Sequence, residues 1–183
     1  MHRDLVIRAM AGDHDAFSEL TRGSVAKLYA IARLIVRDSD QAEDATQEAL
    51  VAAWRQLRSL RDPDRFDAWL RRLLVRACYR EAGRSQHWRQ LESQVRPFLT
   101  DVPDPGIAIA DKDELERGFG RLSPEQRALI VLHYYLGLPM QETALALGLP
   151  VGTVKSRLHR TTQQMRAVLE ADARLPLSEG RPS

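Results

Sequence analysis

The chain has 183 residues, of which 44% are hydrophobic and 28% are charged, and its formal net charge is +2. This length suits one or two compact domains and excludes a large enzyme with inserted lobes. No run of about 18 apolar residues occurs, and the N-terminus becomes polar within a dozen residues, so we expect a cytoplasmic protein without membrane insertion or a secretory signal. The single cysteine, Cys78, excludes an internal disulfide framework and agrees with a reducing compartment.

Basic and acidic residues are sorted along the chain. Only three of the 27 basic residues are Lys, and the segment 55–89 contains ten Arg against four acids. A second basic zone, 151–169, contains no acid, whereas acids collect at 38–48 and 101–116. Guanidinium groups bind phosphates and base edges well, although a GC-rich genome would produce the same preference for Arg. The sorting indicates more than one kind of partner.

The first half of the chain has helical periodicity, and no segment has the alternation of a strand. The apolar spacing predicts one or two packed helices over 13–36 and another helix over 40–57. Ser39 or Asp40 is the predicted N-cap of the latter helix, and its acidic first turn suits the positive end of the helix dipole.

The segment 59–66 is a predicted turn, because Asp62 precedes Pro63 and is therefore disfavoured in the helical region. A basic amphipathic helix is predicted over 67–83. Its apolar face includes Phe66 and Cys78, and its exposed face is expected to carry Arg71, Arg72, Arg76, Arg80 and Arg84.

Periodicity disappears over 85–110, where prolines stand among acids. This segment is interpreted as a linker, with one possible short helix at 86–96. Helical periodicity returns at Asp111, and the last 13 residues, 171–183, are predicted to be a frayed tail.

The segment 138–160 has the spacing of a helix-turn-helix. Ala144 is the small residue where two helices meet, Gly148 can adopt the left-handed conformation of the turn, and Val154 is the buried aliphatic of the second helix. Pro150 is predicted to be the first residue of that helix. Its outward residues are available for a major groove or for solvent: Lys155, Ser156, Arg157, His159 and Arg160.

Four stretches in this order resemble the extracytoplasmic-function (group IV) sigma factors of the bacterial sigma-70 family. They are GDHDAFSEL (12–20), AEDATQEALVAAW (42–54), FDAWLRRLLVRACYREAGR (66–84) and LSPEQRALIVLHYYLGLPMQETALALGLPVGTVKSRLHR (122–160). The resemblance implies an all-α fold with a region 2-like helical bundle over 1–88, a flexible linker over 89–111, a region 4-like helix-turn-helix domain over 112–170 and a disordered tail over 171–183. The implied function is a dissociable promoter-specificity subunit that needs no cofactor or metal.

The resemblance also implies roles for particular residues in the first half. Core RNA polymerase would contact Asp44, Gln47, Glu48 and Trp54, although Trp54 is more typical of a core position. The minus-ten promoter element would be bound and held open by the turn and the basic helix, that is by Arg61, Asp62, Arg65, Phe66, Trp69, Arg71, Arg72, Arg76 and Arg80. Aromatic faces and a cationic groove are what unstacked bases require, but Trp69 also fits a core position.

In the second half, the resemblance implies that the helix-turn-helix binds the minus-thirty-five element. The candidate contacts are Thr153, Lys155, Ser156, Arg157, His159 and Arg160, with Arg157 assigned to phosphate. An anti-sigma factor is expected as a further partner. Thr143 departs from the family pattern, which has an aliphatic residue there, and Leu50 replaces a commoner aromatic; looser packing of the first helix is expected at Thr143.

Other classes of function have less support. The five histidines have no ligand-pair spacing and the chain has no glycine-rich phosphate loop, so we expect no enzyme activity. The main alternative is a one-component regulator that binds duplex operator DNA as a dimer through its helix-turn-helix. A helical adaptor leaves the two basic zones unexplained. Cys78 fits a buried inert thiol better than a redox sensor.

Overall fold

The computed structural model of the protein describes residues 2–95 and 116–173, and their side chains within 2–86 and 116–170. Across these ranges every regular element is a helix and no strand is found. The predicted all-α fold is therefore confirmed for the part of the chain that is described.

The N-terminal half (2–95) contains five helices joined by short connections. They are α1 His2–Met10, α2 His14–Arg22, α3 Val25–Val36, α4 Ser39–Gln56 and α5 Phe66–Val95. Two 3-10 turns, Leu57–Ser59 and Pro63–Arg65, connect α4 to α5, where the sequence predicted a turn. The helix α5 is 30 residues long and includes most of the short helix predicted at 86–96. The predicted start of the linker at residue 89 thus falls inside a helix.

The N-cap of α4 differs from the prediction by one residue. Asp38 has extended backbone angles, φ −136° and ψ 134°, and its carboxylate accepts a hydrogen bond from the Gln41 N–H at 2.9 Å. Ser39 and Asp40, the predicted caps, instead belong to the first turn of the helix. An Asp one residue earlier caps equally well, because a cap requires only that a side-chain oxygen reach an unpaired amide.

The C-terminal half (116–173) begins with a helical segment at 116–120. It continues with α6 Pro124–Ile130, a π-helical turn Val131–Tyr135, α7 Met140–Leu147 and α8 Val151–Ala173. Ser123 and Gln126 form a reciprocal capping box at the start of α6. Pro150 lies one residue before α8, and its carbonyl accepts the first hydrogen bond of that helix from Val154 N at 3.0 Å. The predicted first residue of α8 was therefore one position early.

The core is formed mainly by α3, α4 and α5. Four alanines of α4 have no exposed surface, which allows the backbone of α5 to approach closely: Ala42, Ala45, Ala49 and Ala53. The same cluster of buried side chains includes Leu132 and Ala146 from the C-terminal half. A smaller cluster of Leu129, Ala144, Val154 and Leu158 holds the helix-turn-helix together. The two halves therefore share one hydrophobic core cluster, in addition to the small core of the C-terminal half.

Candidate nucleic-acid interface

The turn between α7 and α8 has the geometry that a helix-turn-helix requires. Gly148 ends α7 in the left-handed conformation, φ 67° and ψ 33°, where a side chain would be strained. Beyond it, Leu149 N donates to Ala144 O at 3.0 Å, which completes a Schellman-type C-cap. Ala144 and Val154 are buried where the two helices meet. All three positions chosen from the sequence are confirmed.

The outer face of α8 is basic and exposed. The residues predicted to face outward are exposed, namely Lys155, Ser156, Arg157, His159 and Arg160, and Thr153 is half-buried beside them. The Arg160 Nε donates to Ser156 O at 3.4 Å, and Ser156 Oγ donates to Thr153 O at 3.0 Å. Since 151–169 contains no acid of its own, this face is basic along that stretch and has a geometry that suits the phosphates and base edges of a major groove.

Thr143, the departure from the family pattern, does not loosen α7. Its side chain is fully buried, and its hydroxyl donates to Pro139 O at 3.1 Å. The hydroxyl is thus satisfied by the helix backbone, so Thr143 is accommodated at a site where a larger aliphatic residue was expected.

The basic face of α5 is only partly exposed. Arg76 and Arg80 are exposed as predicted, but Arg71 and Arg72 are half-buried, so the prediction that all these arginines face solvent was wrong. The cause is α7, which packs against this face and places Glu142 Oε2 3.7 Å from the Arg71 guanidinium. Burial, followed by repulsion from Arg72 and Arg80, lowers the pKa of Arg76. Cations are therefore crowded along this helix.

The connection before α5 contains one predicted contact residue that lies in the core. Phe66 has no exposed surface, and its ring lies 6.0 Å from the rings of both His2 and Trp69. Its assignment to DNA contact was therefore wrong, because the first residue of α5 points into the bundle. Trp69 itself is half-buried and packs on the core cluster, as its alternative interpretation allowed.

The polar residues of this connection are on the surface. Asp62 accepts a hydrogen bond from Asp64 N at 3.0 Å and lies 3.3 Å from Arg65 Nε. Arg61 and Arg65 are exposed. The two arginines are therefore accessible to a strand that passes this turn.

The candidate polymerase-binding residues of α4 divide into two environments. Asp44 and Gln47 are exposed, whereas Glu48 and Trp54 are half-buried. Glu48 Oε1 accepts a hydrogen bond from Arg80 Nε at 2.9 Å. The Trp54 ring lies against the rings of His14 at 4.3 Å and Phe17 at 5.0 Å. The sequence did not predict the pairing of Glu48 with Arg80, because the partners are 32 positions apart and no local spacing relates them.

Glu81 was also missed by the sequence analysis. It is buried, and its carboxylate lies 2.8 Å from Arg84 Nη1, while the other terminal nitrogen of Arg84 lies 3.7 Å from Glu48. Burial raises the pKa of Glu81, and the nearby carboxylates of Asp44 and Glu48 raise it further against the opposing effect of Arg84. Two carboxylates thus hold Arg80 and Arg84 between α4 and α5.

Cys78 is a buried thiol on the inner face of α5. It has no exposed surface, and burial raises its pKa to about 12. A thiol that is protonated and inaccessible is unreactive, which favours the inert interpretation over a redox sensor.

The described residues contain neither a candidate metal site nor a helix that could span a membrane. Within 2–95 and 116–173, His, Cys, Asp and Glu side chains form no cluster of three or more that could bind a metal ion. None of the helices in these ranges combines the length and the apolar character needed to span a bilayer.

Comparison with known proteins agrees with this arrangement. Residues 22–89 match the model for sigma-70 region 2, and residues 112–165 match the model for sigma-70 region 4. The chain is 34% identical over 167 residues to the ECF RNA polymerase sigma factor SigM of Mycobacterium tuberculosis, covering 91% of this chain and 83% of that protein. It is 32% identical over 160 residues to the RNA polymerase sigma-E factor of Streptomyces avermitilis, covering 85% of this chain and 86% of that protein.

Two solved structures have a similar fold. CnrH, solved in complex with the cytosolic domain of CnrY, gives a TM-score of 0.67 at 28% identity and covers 93% of this chain and 98% of its own. The sigma factor RpoE of Bartonella quintana, solved with the anti-sigma factor NepR, gives a TM-score of 0.66 at 25% identity. The alignment covers 85% of this chain and 98% of that one. Both sigma regions are present in the family order, and curated relatives align over most of their length. The chain therefore belongs to the extracytoplasmic-function sigma factors of the sigma-70 family.

Proposed function

We propose that this protein directs core RNA polymerase to specific promoters by binding the minus-thirty-five element through α8 and the minus-ten element through α5 and the turn before it. The observation that carries the proposal is the outer face of α8 over 151–169, which is exposed, contains no acid in that stretch and follows the Gly148 turn. Lys155, Ser156, His159 and Arg160 would contact base edges or phosphates in the major groove, with Thr153 and Arg157 at the edge of the contact.

On the minus-ten side, the proposal assigns the opened strand to the surface between the α4–α5 connection and α5. Arg61, Arg65, Arg76 and Arg80 are exposed along it and would bind the strand backbone, while the half-buried Trp69 offers an aromatic face to a base. Asp62 would act by fixing the turn through its contacts with Asp64 N and Arg65.

The partners proposed for this chain are core polymerase, promoter DNA and an anti-sigma factor. Asp44 and Gln47 are the exposed residues of α4 that would contact polymerase directly. Glu48 faces Arg80 and Trp54 packs on α2, so these two residues would act by orienting neighbouring groups. RNA synthesis would be catalysed by the polymerase, and we expect no catalysis by this chain itself.

The test is transcription with purified core polymerase on fragmented genomic DNA from the source organism, with mapping of transcript 5′ ends. The wild-type chain should start transcripts at a defined set of sites that share two spaced elements. Arg160→Ala should abolish or weaken most of these starts, and Arg166→Ala is the matched control because Arg166 is an exposed arginine of the same helix outside the proposed contact set. Transcription that ignores the added chain, or equal loss in the two variants, would contradict the proposal.

A dimeric operator-binding regulator is not favoured, because region 2 and region 4 both match this chain in order. The two possibilities differ in stoichiometry. A regulator would bind duplex DNA alone as a dimer, whereas this protein should bind core polymerase one to one and recognise promoters tightly only in that complex.

A further inference from the structure

The first helix lies against the 3-10 turn Pro63–Arg65, which is part of the proposed minus-ten surface and is called the minus-ten turn below. α1 precedes the residues that match sigma-70 region 2, since that match begins at residue 22. Val6 and Ala9 of α1 belong to the main core cluster, with 0% and 3% of their surface exposed. The helix is therefore anchored in the N-terminal half, and the polar side chains of its first turn have a defined place.

The minus-ten turn has no buried residue of its own. Leu60 and Phe66 are buried on either side of it. Between them the contacts within the turn are local: Asp64 N donates to Asp62 at 3.0 Å, and Asp62 lies 3.3 Å from Arg65 Nε. Such local hydrogen bonds fix the shape of a turn, but its position relative to the rest of the molecule depends on contacts with other elements.

The first turn of α1 supplies long-range contacts of this kind. The Arg3 guanidinium donates to the carboxylate of Asp64, 61 positions further along the chain. Beside it, His2 Nε2 lies 3.6 Å from Asp67 Oδ1, and the His2 ring meets the Phe66 ring edge-on with 6.0 Å between the centroids. Arg3 therefore holds the middle of the minus-ten turn, whereas His2 holds the start of α5.

Asp64 connects Arg3 to two residues of the proposed minus-ten set. Its carboxylate accepts from Arg3, its amide donates to Asp62, and Asp62 in turn contacts Arg65. Arg3 and Asp64 themselves belong to neither proposed DNA-binding set. A displacement of Asp64 would therefore move Asp62 and Arg65, because the three residues are joined by these contacts and by the backbone of one short turn.

From these contacts we propose that Arg3 is a positioning residue for minus-ten recognition, because its ion pair with Asp64 holds the turn that presents Asp62 and Arg65 to the opened strand. This inference rests on the proposed function for the identity of the DNA. The pair is 57% and 58% exposed, so it contributes little to global stability. Its effect is on binding, since a turn that is already ordered loses less conformational entropy when the strand binds.

Two single variants separate positioning from direct contact, because the two roles predict opposite effects for one of them. Arg3→Gln removes a cation and would weaken strand binding in either role. Asp64→Asn removes an anion beside the strand but retains the amide that donates to Asp62. If Arg3 contacted a phosphate directly, the loss of this anion would strengthen binding, whereas loss of positioning weakens it. The double variant Arg3→Asp with Asp64→Arg keeps the net charge and restores an ion pair.

Arg8→Gln is the matched control. Arg8 lies on the same helix, and its side chain is 57% exposed, as is that of Arg3. It pairs with Asp13 at 2.7 Å, not with the minus-ten turn. Arg8→Gln therefore removes the same charge from α1 without removing a contact to the turn.

Two measurements are made on each full-length variant, after circular dichroism verifies that its helices are retained. The first is the rate of amide hydrogen exchange over 57–66 in the chain alone, which reports local opening of the turn. The second is the affinity of the complex with core polymerase for a labelled single strand that contains the minus-ten element of a mapped transcription start.

Arg3→Gln and Asp64→Asn should each exchange several-fold faster over 57–66 and bind the strand about fivefold more weakly, which is the upper range for an exposed ion pair. The exchanged pair should recover most of both losses, and Arg8→Gln should match the wild-type chain. A merely structural role for Arg3 would not produce recovery of strand binding in the exchanged pair.

The proposal is overturned by unchanged exchange in Arg3→Gln, by tighter strand binding in Asp64→Asn, or by a failure of the exchanged pair to recover binding. The exchange measurement is independent of the proposed function, because it requires neither polymerase nor DNA. If exchange responds as expected while the wild-type complex does not bind the strand, the role of Arg3 in holding the turn is supported and the promoter assignment is contradicted instead.

Discussion

The two proposed DNA-binding helices present the same kind of side chain in opposite ways. On α8 the basic residues are exposed along the stretch 151–169, which contains no acid. On α5 three of the arginines are held by acidic residues: Arg71 by Glu142, and Arg80 and Arg84 by Glu48 and Glu81. The proposed α8 surface is therefore accessible to duplex DNA, whereas the proposed α5 surface is partly paired and partly covered. This difference fits a helix that must bind only after the DNA or the protein has rearranged.

The largest effect is expected from a change in the small core that supports α8. Val154→Asp would bury a carboxylate in a cluster of only four buried side chains, at a cost of about 3–5 kcal/mol. We expect the C-terminal half to lose its helical structure while α1–α5 remain folded. Circular dichroism and limited proteolysis would measure this, with Gln163→Asp on the exposed side of α8 as the control. Cooperative loss of all helices would mean that the core shared between the halves dominates.

The exclusion of water from the inner face of α5 can be tested by measuring stability at alkaline pH. The thiol of Cys78 has a pKa of about 12 in the folded chain against an ordinary value of 9.0, so its protonated form is favoured by folding. The contribution of the protonated thiol to the free energy of unfolding is fully present below pH 9 and is lost as the pH rises toward 12. The free energy of unfolding then falls by at most about 1.4 kcal/mol per pH unit. Burial also raises the pKa of Tyr79, which adds a similar loss at higher pH.

Urea unfolding between pH 8 and pH 11 would measure this slope. Cys78→Ala should be less stable at every pH because it leaves a small cavity, but its free energy of unfolding should fall less steeply above pH 9. An identical slope in wild type and variant would show that the thiol is accessible to water, and α5 would then be less closed than the structure indicates.

Direct base contact by α8 should produce an intermediate effect. Arg160→Ala is expected to cost about 1–3 kcal/mol of discrimination between the cognate minus-thirty-five element and a sequence with one base changed. Fluorescence anisotropy of the holoenzyme on the two duplexes would measure the loss. If both duplexes lose affinity equally, Arg160 contacts phosphate and carries no sequence information.

The pairing of Glu48 with Arg80 should have the smallest effect, because both side chains are partly exposed. Such pairs contribute about 0–1 kcal/mol, so Glu48→Gln should lower the free energy of unfolding only slightly. A double-mutant cycle with Arg80→Gln would isolate the coupling between the two side chains, and Glu43→Gln on the same helix controls for the lost charge. Zero coupling would contradict the orienting role proposed for Glu48.

Several features of the molecule were predictable because they depend on local chemistry. The left-handed turn was identified from a glycine four residues after a small residue, and Ala144, Gly148 and Val154 are arranged accordingly. The exposed face of α8 followed from helical spacing alone. Asp38 was missed as the cap of α4 because three adjacent residues can all cap, and only the backbone angles select among them.

The amino-acid sequence by itself determined that the chain is helical, where the helix-turn-helix lies and which side of α8 is basic, since these follow from periodicity, turn chemistry and charge along one segment. Only the tertiary structure decided that Phe66 is in the core, that Glu48 faces Arg80 and that Arg71 and Arg72 lie beneath α7. The physical reason is that a helix has more than one face and its own periodicity does not say what packs on each. For Phe66 and Arg71 the neighbours come from residues more than 60 positions away in the chain, and for Arg80 the partner Glu48 is 32 positions away.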